Sequence, residues 1–289
     1  MIEIIRPGPL ALVEDAGRPG LAAVGVSASG VFDRGAFAEG ARLVGNDIGC
    51  ASVEITLGGL AARVDRDHRV ALTGAECPAS VNGTAVAWGV PIELAAGDEL
   101  RLGLPSRGLR SYLSVAGGVD VPPVLGSRST DLLSGLGPAR LRAGDVLPVG
   151  VVDPARDASG PTLGGWTPAA PGSPAALALL PGPRTDWLSD PAQLTGEWQV
   201  SPDSNRVGVR LTGPALARTG ERELPSEPLV RGAVQVPPAG QPVVFGPDHP
   251  TTGGYPVVAV LTEASIDRLA QCRPGDTVRL AWAGPADLA

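Results

Sequence analysis

A mainly β fold is predicted by three features of the chain. Forty Gly and 30 Pro interrupt its 289 residues every few positions, which leaves little room for long helices. The 43% hydrophobic residues fall in short Val/Leu/Ile runs bounded by turn signals, as strands do, and they argue for packed cores rather than a disordered Gly/Pro-rich chain. Gly-Asp and Asn-Gly pairs sit between those runs. At this length two domains are expected, each burying its own core: residues 1–150, a Pro/Gly-rich linker over 151–174, and residues 175–289.

Taken in order, the first apolar runs flank Pro7-Gly8-Pro9 and read as two paired strands, the second spanning Leu10 to Val13. A polar, glycine-containing loop follows, Glu14 to Gly30, with Asp15 and Arg18; it is too long for a hairpin turn. Asp33 to Val44 reads as a short helix with Asp33 as N-cap, Phe37, Ala41 and Val44 on one face, and Gly45-Asn46 as the stop. Capping alone, worth about 1 kcal/mol, explains Asp33, and a ligand role is compatible with it. Strands are expected at 53–57, 69–73, 79–81, 85–88, 92–94, 99–104 and 111–116, with a clear hairpin turn at Asn82-Gly83. A Gly-Asp turn before an apolar run recurs at Gly97-Asp98, Gly144-Asp145 and Gly275-Asp276, a recurrence compatible with an internal duplication.

Beyond the linker the chain resumes with strands. A polar loop ending in Asn205-Arg206 enters an alternating strand through Val207 to Leu211, and Arg206 reads either as a surface charge or as a clamp for carboxylate or phosphate. Two apolar runs near 243 and 257 then bracket a polar hinge, Asp248 to Tyr255. A hairpin turn would explain Thr251, Thr252, Gly253, Gly254 and Tyr255. So would a ligand loop, in which two hydroxyls, a phenol and a carboxylate act beside glycines that permit close approach. A short helix, Glu263 to Gln271, and a strand, Arg279 to Trp282, complete the chain.

Composition excludes several functions. There are 23 basic and 30 acidic residues, net charge −7, with no basic cluster, so nucleic acid is not an expected partner. Every basic residue is Arg; without Lys there is no Schiff base, P-loop or biotin attachment. Cys50, Cys77 and Cys272 are scattered and only His68 and His249 add imidazole, so no metal site is expected. The first residues lack a signal-peptide pattern and no apolar stretch approaches a membrane span, so a soluble cytoplasmic protein is expected. Neither dinucleotide, P-loop, serine-hydrolase nor zinc-protease signatures occur. What recurs are charged polar loops at Asp15/Arg18, Asp33, Ser127 to Asp131, Asn205/Arg206, Glu227, Gln235 and Asp248.

Six stretches carry a resemblance along nearly the whole chain: VEDAGRPGLAAVGVSASGVFDRGAF, LVGNDIGCASVEITLGG, ALTGAECPASVNG, RSYLSVAGGVDVPPVLGSRSTDL, SPDSNRVGVRLTG and EPLVRGAVQVPPAGQPVVFGPDHPTTGGYPVVAV. They resemble the biotin-dependent carboxyltransferase family, which includes allophanate hydrolase subunit 2, KipA-type proteins, the carboxyltransferase part of urea amidolyase and the 5-oxoprolinase C subunit. The chain departs from the family pattern at Glu14, Ala41 and Pro250 and matches it at Asp15, Arg18, Asp33, Arg206, Gln235, Asp248 and Thr252 to Pro256.

The resemblance implies two β-barrel-like domains of cyclophilin-like topology with a few short helices. Within the family, stand-alone chains of this length are similar to the 5-oxoprolinase C subunit. That implies one component of an ATP-dependent hydrolase opening 5-oxo-L-proline to L-glutamate, with the KipI-type (B) and lactam-utilisation (A) subunits as partners. ATP is then used by the complex, at a site that a partner could share, and no biotin is attached to this chain. For that reaction we expect Arg18 and Arg206 to hold carboxylate or phosphate, and Asp33 and Asp248 to orient the reacting amide. Asp15, Asn205, Gln235 and Thr251 to Tyr255 are the implied substrate-binding residues. A carboxyltransferase component that acts on urea or a related amide, and a KipA-type protein sequestering a kinase inhibitor, are the alternatives.

Overall fold

The computed structural model describes residues 1–152, 174–219 and 224–287, so nearly all of the expected linker lies outside the described residues. The chain divides into two compact units. The first comprises Met1–Arg18, Ser29–Asp131 and Gly135–Pro168; the second comprises Pro19–Ala28, Leu132–Ser134 and Ala169–Ala289.

Eleven strands and one α-helix are described in the first unit: β1 (Ile2–Arg6), β2 (Leu10–Glu14), α1 (Arg34–Leu43), β3 (Ser52–Thr56), β4 (Ala61–Val64), β5 (His68–Gly74), β6 (Ala79–Val81), β7 (Thr84–Ala85), β8 (Pro91–Leu94), β9 (Glu99–Leu102), β10 (Arg110–Val115) and β11 (Val146–Leu147). They form a six-stranded sheet in the order β11-β1-β4-β9-β6-β7 and a five-stranded sheet in the order β2-β3-β10-β5-β8. Ile2, Ile4, Val13, Ile55, Leu72, Leu100 and Leu113 join one apolar core fed by both sheets.

The two N-terminal strands do not pair with each other, contrary to the expectation from Pro7-Gly8-Pro9. β1 lies against β4 and β11, whereas β2 lies against β3. The reason is a stacked corner. Leu57, Gly58 and Gly59 all have positive φ, and a Cβ on Gly8 would fall 2.1 Å from the Gly58 carbonyl oxygen, so the two bends pass in close contact as each strand pair changes sheet. Elsewhere local signals hold. Asn82 and Gly83, at φ 50 and 84, make the left-handed two-residue turn between β6 and β7. At all three Gly-Asp turns the Gly has φ near 90° and the Asp carboxylate accepts from the backbone N–H three residues earlier, at Ala95, Arg142 and Arg273.

The α1 helix begins where Asp33 accepts from Ala36 N–H at 2.9 Å, and it buries Ala36, Phe37, Gly40, Ala41 and Leu43. Gly40 permits the close approach: a Cβ there would lie 2.5 Å from Ser114 Oγ on β10.

In the second unit the strands are β12 (Ala175–Pro181), β13 (Gly196–Val200), β14 (Gly208–Thr212), β15 (Glu227–Pro228), β16 (Ala233–Gln235), β17 (Val243–Phe245), β18 (Thr252–Gly253), β19 (Val257–Leu261) and β20 (Thr277–Trp282), with α2 at Glu263–Ala270. Seven close into a barrel, β12-β19-β16-β17-β14-β13-β20, which removes exposed sheet edges, and β15 pairs with β18 as a separate ribbon. Buried Trp198 donates its indole N–H to the Leu194 carbonyl at 3.0 Å, and Gly213 packs against its ring.

The hinge over 248–255 is not a hairpin turn. β17 and β19 flank it in sequence, but β16 lies between them in the barrel and pairs with both. The chain must therefore cross the end of β16, and on the way it lays β18 beside β15.

Candidate functional site

In the first unit, the loop at Asp15 is tied to the segment 127–129. The Asp15 carboxylate accepts from Gly17 N–H (2.8 Å), Ser127 Oγ (2.6 Å), Ser129 Oγ (2.6 Å) and Arg128 N–H (2.6 Å). Arg18 is 2% exposed and lies against the same segment, donating from Nε to the Val124 carbonyl (3.3 Å) and from Nη2 to the Ser129 carbonyl. Ser129 thus links the two residues that the sequence placed three apart.

Asp33, buried at the start of α1, belongs to a different network. Its N–H donates to the Tyr112 hydroxyl (2.8 Å), which donates to Glu54 Oε2 (2.8 Å); the same oxygen accepts from Phe32 N–H (2.9 Å). Arg110 closes the cluster, 4.4 Å from the centre of the Phe32 ring and 3.5 Å from Glu54 Oε1. Burial first, then the negative charges of Glu54 and Asp33, push the Tyr112 pKa well above its ordinary value, so the hydroxyl remains a donor. Sequence reasoning missed Glu54, Arg110 and Tyr112. The available signal was one charged residue in each of two short strand segments, SVEIT and RSYLSV.

In the second unit, Arg206 and Asp248 form a bidentate pair, Nε to Oδ2 at 2.9 Å and Nη2 to Oδ1 at 3.0 Å, with side chains 2% and 0% exposed. Leu132 N–H adds a bond to Asp248 Oδ2 at 3.2 Å. Asn205 is a turn residue: its Oδ1 accepts from Val207 and Gly208 N–H at 2.8 and 3.2 Å.

Gln235, at the end of β16, donates to the Tyr255 carbonyl at 2.7 Å and so holds the far side of the hinge. Gly253 is closely packed, since a Cβ there would lie 2.9 Å from both Gln235 Nε2 and Leu229 Cδ1, and neither Gly253 nor Gly254 has a positive φ. Thr251 accepts from Leu229 N–H through its carbonyl at 2.9 Å. Thr252 and Gly254 are exposed, and Tyr255 presents 47% of its surface to solvent. Glu227 on β15 is gripped by Arg184, whose Nε lies 3.0 and 3.1 Å from the two carboxylate oxygens; that hydrogen bonding holds its pKa below the usual range. Among the described residues no group of three or more His, Cys, Asp or Glu is placed to hold a metal, and no helix is long and apolar enough to cross a membrane.

Each unit therefore concentrates its candidate residues on one or two tied loops. The family model described as "Carboxyltransferase domain, subdomain A and B" matches residues 24–282, which takes in elements of both units. The chain belongs to the carboxyltransferase domain family. Two relatives of this family member differ in how much of their own length they match. It is 43% identical to the 5-oxoprolinase C subunit of Escherichia coli (strain K12) over 285 residues, 96% of this chain and 90% of that protein. It is 32% identical to a urea amidolyase of Lachancea kluyveri over 308 residues, 96% of this chain but 16% of that protein. The crystal structure of the K. lactis urea amidolyase superposes with a TM-score of 0.86 at 30% identity, covering 98% of this chain and 19% of that one.

Proposed function

We propose that this chain is the C subunit of an ATP-dependent 5-oxoprolinase, which opens 5-oxo-L-proline to L-glutamate together with the KipI-type (B) and lactam-utilisation (A) subunits. One observation carries the reading: the match spans 90% of the E. coli protein, so the two chains correspond almost end to end, whereas it spans 16% of the urea amidolyase. A lactam amide resists hydrolysis, and ATP is the substrate that would turn its oxygen into a leaving group by phosphorylation. Asp33 in the first unit or Asp248 in the second is proposed to orient the reacting amide. For Asp248, the Arg206 fork fixes the carboxylate in position through two hydrogen bonds.

The test is glutamate release from 5-oxo-L-proline by the three co-expressed subunits in the cytoplasmic fraction. Release that depends on ATP and disappears when this chain is omitted is the expected result; release that persists without it overturns the proposal. A second reading, carboxyl transfer to urea or a related amide, is favoured by the family model and by the urea amidolyase match. In that case carboxybiotin must arrive on another protein, because this chain has no Lys.

A further inference from the structure

We infer that Arg18 is the anchor of an oxyanion site in the first unit, one that takes a carboxylate or a phosphate group. It deepens the proposed function by assigning the residue that holds the acidic end of the ligand, and to that extent rests on it.

The argument is one of charge and donors. Arg18 is among the largest fully buried side chains of the chain, yet among the described residues it makes no ion pair. Its hydrogen-bond acceptors are two main-chain carbonyls, of Val124 and Ser129, which carry no net charge. Its Nη1 is buried with no hydrogen-bond partner. Asp15 shares Ser129 with it but already receives four donors of its own. A guanidinium cannot shed its proton, so burial without a counter-charge leaves two deficits, the charge and the unmet donor. One bound oxyanion would satisfy both, in the geometry a planar fork favours.

The frame around Arg18 is stiff. Val124 and Ser127 bond each other at 2.8 and 3.2 Å across a tight turn in which Leu125 and Gly126 have φ 52 and 83. At Gly137, with φ +84, a Cβ would fall 2.0 Å from the Ser129 carbonyl oxygen and 3.3 Å from Arg18 Nη2, so no side chain fits beside the guanidinium. Arg206 is the counter-example: its fork already grips Asp248, and its charge is balanced within the protein.

The experiment titrates the full chain with inorganic phosphate, with 5-oxo-L-proline and with 2-pyrrolidone, the same lactam without a carboxylate, by calorimetry at fixed ionic strength. Saturable binding of phosphate or of 5-oxo-L-proline is expected, with none of 2-pyrrolidone at the same concentrations; which of the two binds identifies the source of the oxyanion. R18K, which keeps the charge and loses the fork, and R18Q, which loses both, should weaken it at least about tenfold, the effect of one charge-assisted hydrogen bond. Should R18Q fail to fold, R18K and the 2-pyrrolidone comparison decide. No saturable binding of either oxyanion to the wild-type chain, or equal affinity in R18K, overturns the site. Phosphate binding lost in R18K from a chain that gives no oxoprolinase activity would keep the site and sink the enzyme reading. Activity of the complex with an unchanged KM for 5-oxo-L-proline in R18K would do the reverse.

Discussion

Arg18 in the first unit and Arg206 in the second are each 2% exposed, but they are balanced in different ways. Arg206 meets a carboxylate head-on, two donors to two oxygens, within a loop that Leu132 N–H also reaches. Arg18 meets two peptide carbonyls and leaves a nitrogen unbonded, while the nearby carboxylate of Asp15 serves the loop instead. The difference teaches that equal burial of equal residues does not imply equal roles. A closed pair is a positioning device whose energy lies in its mutual geometry. An arginine without a counter-charge is a binding device whose energy is completed by something else.

Breaking the closed pair is the largest effect expected. Asp248→Ala removes the carboxylate that the buried Arg206 fork grips and should destabilise the chain by about 3–5 kcal/mol, as should Arg206→Ala, which takes the fork from the buried carboxylate. The double substitution Arg206→Met with Asp248→Leu should cost clearly less than either single change, because it removes both charges together. Denaturant melts of the three variants check this. Equal losses in all three would show that packing, not charge balance, is what the pair supplies, and the contrast with Arg18 would lose its basis.

A smaller effect is expected at Tyr112, where the first unit keeps its own closed network around Asp33. Tyr112→Phe takes a donor from buried Glu54 and an acceptor from the Asp33 N–H, and should cost about 1–3 kcal/mol near neutral pH. Burial and two carboxylates raise the folded pKa above the ordinary value of 10.0, so between the two values the unfolded chain has released a proton that the folded chain retains. The stabilisation from Tyr112 is therefore full below about pH 10 and declines as pH rises above it. Wild-type stability should fall more steeply than that of Tyr112→Phe through that alkaline window. Parallel curves would mean that the hydroxyl is not held as a donor.

How far such contrasts can be read from the sequence depends on their range along the chain. The α1 helix was legible because its cap, apolar face and stop lie close together in the chain, and the Asn82-Gly83 turn because two adjacent residues dictate it. The three Gly-Asp turns were legible for the same reason. The parting of β1 from β2 was not, since it depends on Gly58, far along the chain from the bend at Gly8 that it constrains. Arg206 and Asp248 were both singled out, but a pairing across 42 positions has no local signature. The same limit hid Glu54 and Tyr112: only three-dimensional contact shows that a lone charge in a buried strand is answered by a phenol on its neighbour.

The smallest effect concerns the hinge, whose two glycines look interchangeable in sequence. Gly253 sits where a methyl group would press on Gln235 Nε2 and Leu229 Cδ1, both at 2.9 Å, whereas the nearest atom to a methyl on Gly254 is the Leu224 carbonyl oxygen at 3.7 Å. Gly253→Ala should therefore cost about 1 kcal/mol or more through overpacking, softened because Gln235 ends in a flexible amide. Gly254→Ala should stay within about 0.5 kcal/mol of wild type. Because Gln235 also holds the Tyr255 carbonyl, Gly253→Ala should shift the far end of the hinge as well, which hydrogen exchange at 251–257 would detect. Equal melts and equal exchange for the two variants would mean that the hinge yields to a methyl group at either position. The second unit would then owe its rigidity to the Arg206–Asp248 pair and not to the packing of the crossing loop.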